Sequence, residues 1–207
     1  MLLFAVVNES TKIAFEYTGM YWHSYERNAN NKFRHVNKLN MCIKHGIRLI
    51  TIFEDEWIID QNKVKNNISR VLGVSSHVNA DECDVKVDGQ CVSLVEKHTE
   101  QVIAYAVFSK SRFNIEEEWE MTSYVVKDFM IVDNGLKRIL DAFAETFAPS
   151  SITAFIDRRW NDGAEYENCG FKLVKTLDPQ CWWFNKTTLH RYHENDFKRN
   201  IAHDLLN

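Results

Sequence analysis

The chain has 207 residues, 45% of them apolar and 26% charged, enough to bury a core and ordinary for a globular protein. Only 7 Gly and 2 Pro argue against long linkers and low-complexity tracts, and no apolar run is long enough to span a bilayer. Net charge is −4, unevenly spread: residues 1–75 carry 10 Lys/Arg against 7 Asp/Glu, residues 76–185 carry 11 against 19, and residues 186–207 carry 4 against 3. The five cysteines (Cys42, Cys83, Cys91, Cys169, Cys181) are odd in number and lack zinc spacing, which points to free thiols in a reducing, intracellular (cytoplasmic) compartment.

In chain order, Met1–Val7 is apolar but short and without a basic flank, so Leu2–Val7 reads as a strand rather than a secretory signal. Lys12–Tyr17 reads as a second strand after the polar turn Asn8–Thr11. From Asn31 to His45, Phe33, Val36, Leu39 and Ile43 recur at helical spacing, which predicts a helix with those residues inward and His45-Gly46 as its glycine stop. Ile47–Phe53 reads as a buried central strand ended by Glu54-Asp55-Glu56-Trp57, and Asn62–Leu72 as a helix stopped by Gly73. That order is a compact α/β module.

Ser75–Asp84 is polar, which places a domain boundary there. Beyond it, Cys91–Val95, Gln101–Ser109 and Glu118–Val126 read as strands. Gly135–Phe147 reads as a helix with Leu136, Ile139, Leu140 and Phe143 on one face. Ile152–Ile156, a short helix Ala164–Cys169, and strands Phe171–Thr176 and Cys181–Phe184 follow. The expected architecture is α/β (α+β) with two small modules, residues 1–75 and 83–187, and a basic amphipathic tail, residues 188–207.

Positions 27–48 hold Arg27, Lys32, Arg34, Lys38, Lys44 and Arg48 and no acid. A stripe of this kind suits the phosphate backbone of double-stranded DNA, or forms a solvated helix face. Glu16 ends the second strand, His23 follows seven residues later, and Glu54, Asp55 and Glu56 end the third. Carboxylates at adjacent strand ends, with a His nearby, are what a divalent cation and a hydrolytic water require.

The stretches Ile13-Ala14-Phe15-Glu16-Tyr17-Thr18-Gly19-Met20-Tyr21-Trp22-His23 and Gly46-Ile47-Arg48-Leu49-Ile50-Thr51-Ile52-Phe53-Glu54-Asp55-Glu56-Trp57 resemble phage-encoded homing endonucleases. Those enzymes are similar to the very-short-patch repair endonuclease of the PD-(D/E)xK superfamily. The resemblance is co-linear over about residues 1–73. It implies Mg²⁺-dependent hydrolysis of phosphodiesters, with Glu16 at the metal and His23 as base or phosphate-orienting group. Glu54 or Asp55 would border the same pocket, and His35 and Lys38 would face the DNA backbone. One departure bears on activity: the family's metal-binding Asp falls on Ala5 and its preceding Glu on Leu3, so the principal carboxylate is absent and Glu9, in the turn, is no clear substitute.

The segment Asp157-Arg158-Arg159-Trp160-Asn161-Asp162-Gly163 through Tyr166 and Gly170-Phe171, with Cys181-Trp182-Trp183-Phe184, is similar to the C-terminal module of the same proteins, and its Tyr-x-x-x-Gly-Phe part to a GNAT acetyltransferase. An acyl-CoA site needs a glycine-rich turn at a helix start; the corresponding Ile131-Val132-Asp133-Asn134-Gly135-Leu136 keeps one Gly and adds an opposing Asp. Arg158 and Arg159 are candidates for DNA contact, or form a turn with an Arg stacked on Trp160. Arg191 and Lys198, in the tail, are candidate phosphate contacts. Three functions follow: a homing-type DNA endonuclease, an inactive relative that binds DNA or a protein, and an N-acyltransferase. No membrane partner is expected.

Overall fold

The computed structural model describes residues 3–4, 12–20, 34–111, 118–177, 182–185, 187–188 and 190–193, with the backbone alone at 3, 4, 34 and 35. Ala5, His23 and Lys198 lie outside the described residues. The chain is a mixed α/β protein with several small sheets. It divides into two compact units, residues 1–64 with 175–207, and residues 65–174.

The first unit is built on a three-stranded sheet in the order β1 (Leu3–Phe4), β2 (Ile13–Thr18), β3 (Arg48–Phe53). β1 runs antiparallel to β2, with Leu3 opposite Glu16; β2 and β3 are parallel, with Glu16 opposite Thr51 and Thr18 opposite Phe53. Two parallel strands need a crossover, and helix α1 (Arg34–Lys44) lies on that connection and packs on β3. The central strand β2 is buried almost throughout, and Ile13, Phe15, Ile50 and Ile52 form the local core.

Gly46 ends α1 at a φ of +66°, and Ile47 N–H donates to the Cys42 carbonyl at 2.8 Å, a left-handed helix stop that favours glycine. The inward face differs from the expectation. Val36, Leu39 and Ile43 are exposed, whereas Lys38 and Cys42, one turn apart, are half-buried. The reason is electrostatic: Lys38 forms an ion pair with Glu16 on β2, and that contact selects the face.

Glu54–Trp57, expected only to end β3, begins helix α2 (Glu54–Ile59). Three carboxylates in its first turn suit the positive end of the helix dipole, and Glu56 accepts from Phe53 N–H at 3.3 Å. The hairpin β11 (Trp182–Phe184) and β12 (Arg191–His193) also belongs to this unit. The expected tail therefore contains a strand.

Helix α3 (Gln61–Val71) spans the division, which falls between Val64 and Lys65 rather than in Ser75–Asp84. Buried Asn66 explains the second part of α3: its amide donates to Asp128 at 2.9 Å and its carbonyl accepts from Phe129 N–H at 2.7 Å. The polar stretch after it is no linker. β4 (Ser76–Asn79) pairs in parallel with β9 (Met130–Asp133), and Ala80 and Cys83 enter the core.

The second unit's main sheet has the order β10 (Ile152–Ala154), β8 (Trp119–Val126), β7 (Val102–Lys110), β6 (Cys91–Glu96), β5 (Cys83–Asp88), antiparallel except for β10 with β8. Helix α4 (Gly135–Phe147) packs on it through Leu136, Ile139, Leu140 and Phe143, the face expected from the sequence. Phe143 stacks on Phe108 at 3.7 Å and meets the Trp119 ring edge-on at 5.1 Å. Phe171–Thr176 forms no strand; Leu173 and Val174 are exposed, and no described strand pairs with that segment. No described helix is long and apolar enough to cross a membrane.

Candidate functional site

Because β2 and β3 are parallel, their C-terminal ends coincide, and α2 starts at that edge. Met20 N–H donates to Glu54 Oε2 at 2.9 Å, which fastens the chain after β2 to the start of α2. Glu54 and Asp55 thus start α2 at that edge, and Glu16 lies two residues before the end of β2. Glu16 is 1% exposed and Asp55 is 5% exposed. Burial of an ionised carboxylate requires a compensating charge or hydrogen bonds.

Each of these two carboxylates has a cation from the chain itself. Lys38 Nζ is paired with Glu16 Oε1. Arg191 Nε donates to Asp55 Oδ2 at 2.6 Å, and its Nη2 donates to Glu56 Oε1 at 2.9 Å. The same guanidinium lies 3.9 Å from the centre of the Phe53 ring and 5.5 Å from that of Trp182. Tyr17 has its phenol pushed up, by burial first and by the Glu54 charge second. Two buried oxygens at this edge have no hydrogen-bond partner, Thr18 Oγ1 and Asp55 Oδ1.

Mg²⁺ takes oxygen ligands in near-octahedral geometry and seldom gives up its waters. Among the described residues no group of three His, Cys, Asp or Glu side chains is arranged to hold a metal ion. Glu16 and Asp55 each already face a fixed cation. Leu3, not a carboxylate, stands opposite Glu16. This donor set does not fit a divalent cation.

The residues proposed for DNA contact meet different fates. Lys38 and Arg191 turn inward to the carboxylates. Arg159 is tied to its neighbour Asp157, with Nη2 to Oδ2 at 2.6 Å, and its guanidinium lies 5.9 Å from the Trp160 ring centre. Arg158 is exposed. Arg34 and His35 open α1. The inward role of Arg191 carries no local signal, since its partners lie 136 and 135 positions away.

The second unit holds a cavity of about 420 Å³ at the start of α4, lined by Arg70, Asp133, Asn134, Lys137, Glu165 and Cys169 among others. Gly135 is required there: a Cβ would come within 2.9 Å of Val132. Asp133 pairs with His77 at 3.0 Å. Burial pushes the Glu165 carboxyl up, against the opposing pull of Arg70, and burial and then Glu165 push the Tyr166 phenol up to about 12. Two cations and two carboxylates line the cavity, so it presents no net charge that would draw in a diphosphate.

No family model, curated protein or solved structure matches this chain.

Proposed function

We propose that this chain is a double-stranded-DNA-binding protein of homing-nuclease ancestry that holds its carboxylate edge closed with its own cations and does not hydrolyse phosphodiesters. The observation that carries the reading is the pair of internal charge contacts, Lys38 with Glu16 and Arg191 with Asp55 and Glu56. A nuclease of this type uses such carboxylates for a metal; here side-chain nitrogens meet them. Support for the DNA partner comes from the sequence of α1 and its flank, residues 34–48, which includes Arg34, His35, Lys44 and Arg48 but no Asp or Glu, and from the exposure of Lys44.

Two measurements test this together. Supercoiled plasmid incubated with the protein and Mg²⁺ or Mn²⁺ stays intact. A labelled duplex binds with an affinity that falls steeply with salt, and Lys44→Gln lowers the slope by about one. Metal-dependent nicking that Glu16→Gln abolishes would sink the non-cutting reading, and a failure to bind duplex at low salt would sink the DNA reading.

One observation favours cleavage as a second reading. Asp55 Oδ1 is a buried carboxylate oxygen without a partner, as an incomplete ligand set would leave it. The plasmid assay separates the two.

A further inference from the structure

The cavity of the second unit is lined by charges of two kinds, those already paired and those left over. Asp133 pairs with His77 at 3.0 Å, and Lys137 pairs with Asp141 at 2.9 Å. Arg70, in the last turn of α3, and Glu165, in the short helix α5 (Ala164–Asn168), remain. Both are half-buried, and neither side chain has an ion-pair partner among the described residues. Burial pushes the Glu165 carboxyl up and outweighs the downward pull of the Arg70 charge. The two groups sense each other without meeting. Tyr124 stands with them: its hydroxyl lies 3.2 Å from where a Cβ on Gly135 would be, so glycine at the start of α4 leaves room for it. Burial first and the Glu165 charge second push that phenol up, so it keeps its proton and remains a donor.

A charged group drawn out of water is costly unless something compensates it, and here a guanidinium and a carboxyl are held apart in one cavity. The mixture of charges narrows what could compensate them. A ligand that is only anionic would meet Glu165 and Asp133, and one that is only cationic would meet Arg70 and Lys137. A ligand that carries both charges answers both. The planar fork of an arginine takes a carboxylate through two parallel hydrogen bonds, and an ammonium beside Glu165 favours its ionised form. Ile131, Val132 and Leu136 line the cavity as well and suit a small apolar substituent. Its volume of about 420 Å³ lies toward the small end of ligand sites, which run from roughly 300 to 1,000 Å³.

We propose that this cavity binds a free amino acid, with the ligand's carboxylate on Arg70 and its ammonium on Glu165. The site is built wholly from the second unit, and the proposal is independent of the nucleic-acid reading above.

The test is calorimetric titration of the full chain with each common amino acid in turn, up to millimolar concentration. The one that binds best is then compared with its amide, which lacks the carboxylate, and its N-acetyl form, which lacks the ammonium. Each of these binds about ten- to a hundredfold more weakly, the loss of one charge-assisted contact. Arg70→Gln weakens the amino acid by a similar factor and leaves the amide unchanged, whereas Glu165→Gln leaves the N-acetyl form unchanged. The comparison of the three ligand forms on the wild type holds even where a variant fails to fold. Failure of every amino acid to bind overturns the proposal. So does an amide or N-acetyl form that binds as tightly as the amino acid, or a folded Arg70→Gln variant of wild-type affinity. Failure of the duplex-binding assay bears on the nucleic-acid reading alone.

Discussion

Arg191 and Lys44 are both basic residues that a sequence offers to phosphate, and they end in opposite places. Lys44 closes α1 in solvent, whereas the Arg191 side chain is 13% exposed and the Asp55 side chain it meets 6% exposed. Burial changes what the charge is worth. An exposed ion pair contributes about 0–1 kcal/mol, but removing one partner of a buried pair costs about 3–5 kcal/mol because the other charge is left uncompensated. Arg191→Ala therefore lowers the stability of the first unit by about 3–5 kcal/mol in urea unfolding. Arg191→Lys falls between, since an ammonium cannot serve two carboxylates through one planar fork or stack as well on Phe53. A loss under about 1 kcal/mol for Arg191→Ala would place the pair in the surface class.

At the scale of elements, local patterning decided α4 and misjudged α1. In α4 the apolar stripe has no buried charge to compete with, so Leu136, Ile139, Leu140 and Phe143 face the sheet. In α1 the stripe loses to Lys38, because a buried Glu16 without a cation would cost more than exposing Val36, Leu39 and Ile43. A second charge contact ties strand ends together. Glu118, just before β8, accepts from Lys110 Nζ at the end of β7 at 2.8 Å and from Ser150 N–H ahead of β10 at 2.8 Å. Lys110 first, then the Ser150 amide and hydroxyl, hold the Glu118 carboxyl down from 4.5 to about 2. A carboxyl depressed in the folded state stabilises it above the unfolded value, and that contribution fades as pH falls from 4.5 through about 2. Thermal melts across this range thus show the second unit losing midpoint with acid, and Glu118→Gln, lower at neutral pH, shows a shallower fall. Parallel pH curves for the two proteins would refute the assignment.

Across the whole molecule, the chain returns to its first unit after completing its second. Residues 175–207 supply β11, β12 and Arg191, so they belong to the fold that begins at β1. Deleting residues 175–207 removes the cation of Asp55 together with the hairpin. Hydrogen exchange then shows β2 and β3 losing protection by about 3 kcal/mol or more while β6, β7 and β8 keep theirs. Retained protection in β2 and β3 would show that the C-terminal segment is dispensable to them.

The amino-acid sequence by itself determined the elements whose stability is local or periodic: β2, β3, α3, α4 and the hairpin strands β6 and β7, with boundaries close to those observed. It also marked Glu16 and the Glu54–Glu56 cluster as unusual carboxylates at strand ends. Periodicity and turn chemistry report on neighbours a few residues apart, which is why these were legible. The tertiary structure alone decided that Lys38 and Arg191 face those carboxylates, that Asn66 fastens α3 to the turn before β9, and that the polar stretch at β4 is a strand. Each pairs groups 22 to 136 positions apart, beyond the reach of periodicity and turn chemistry, and at Glu16, Asp55 and Asn66 burial makes an uncompensated charge or hydrogen-bonding group costly to leave alone.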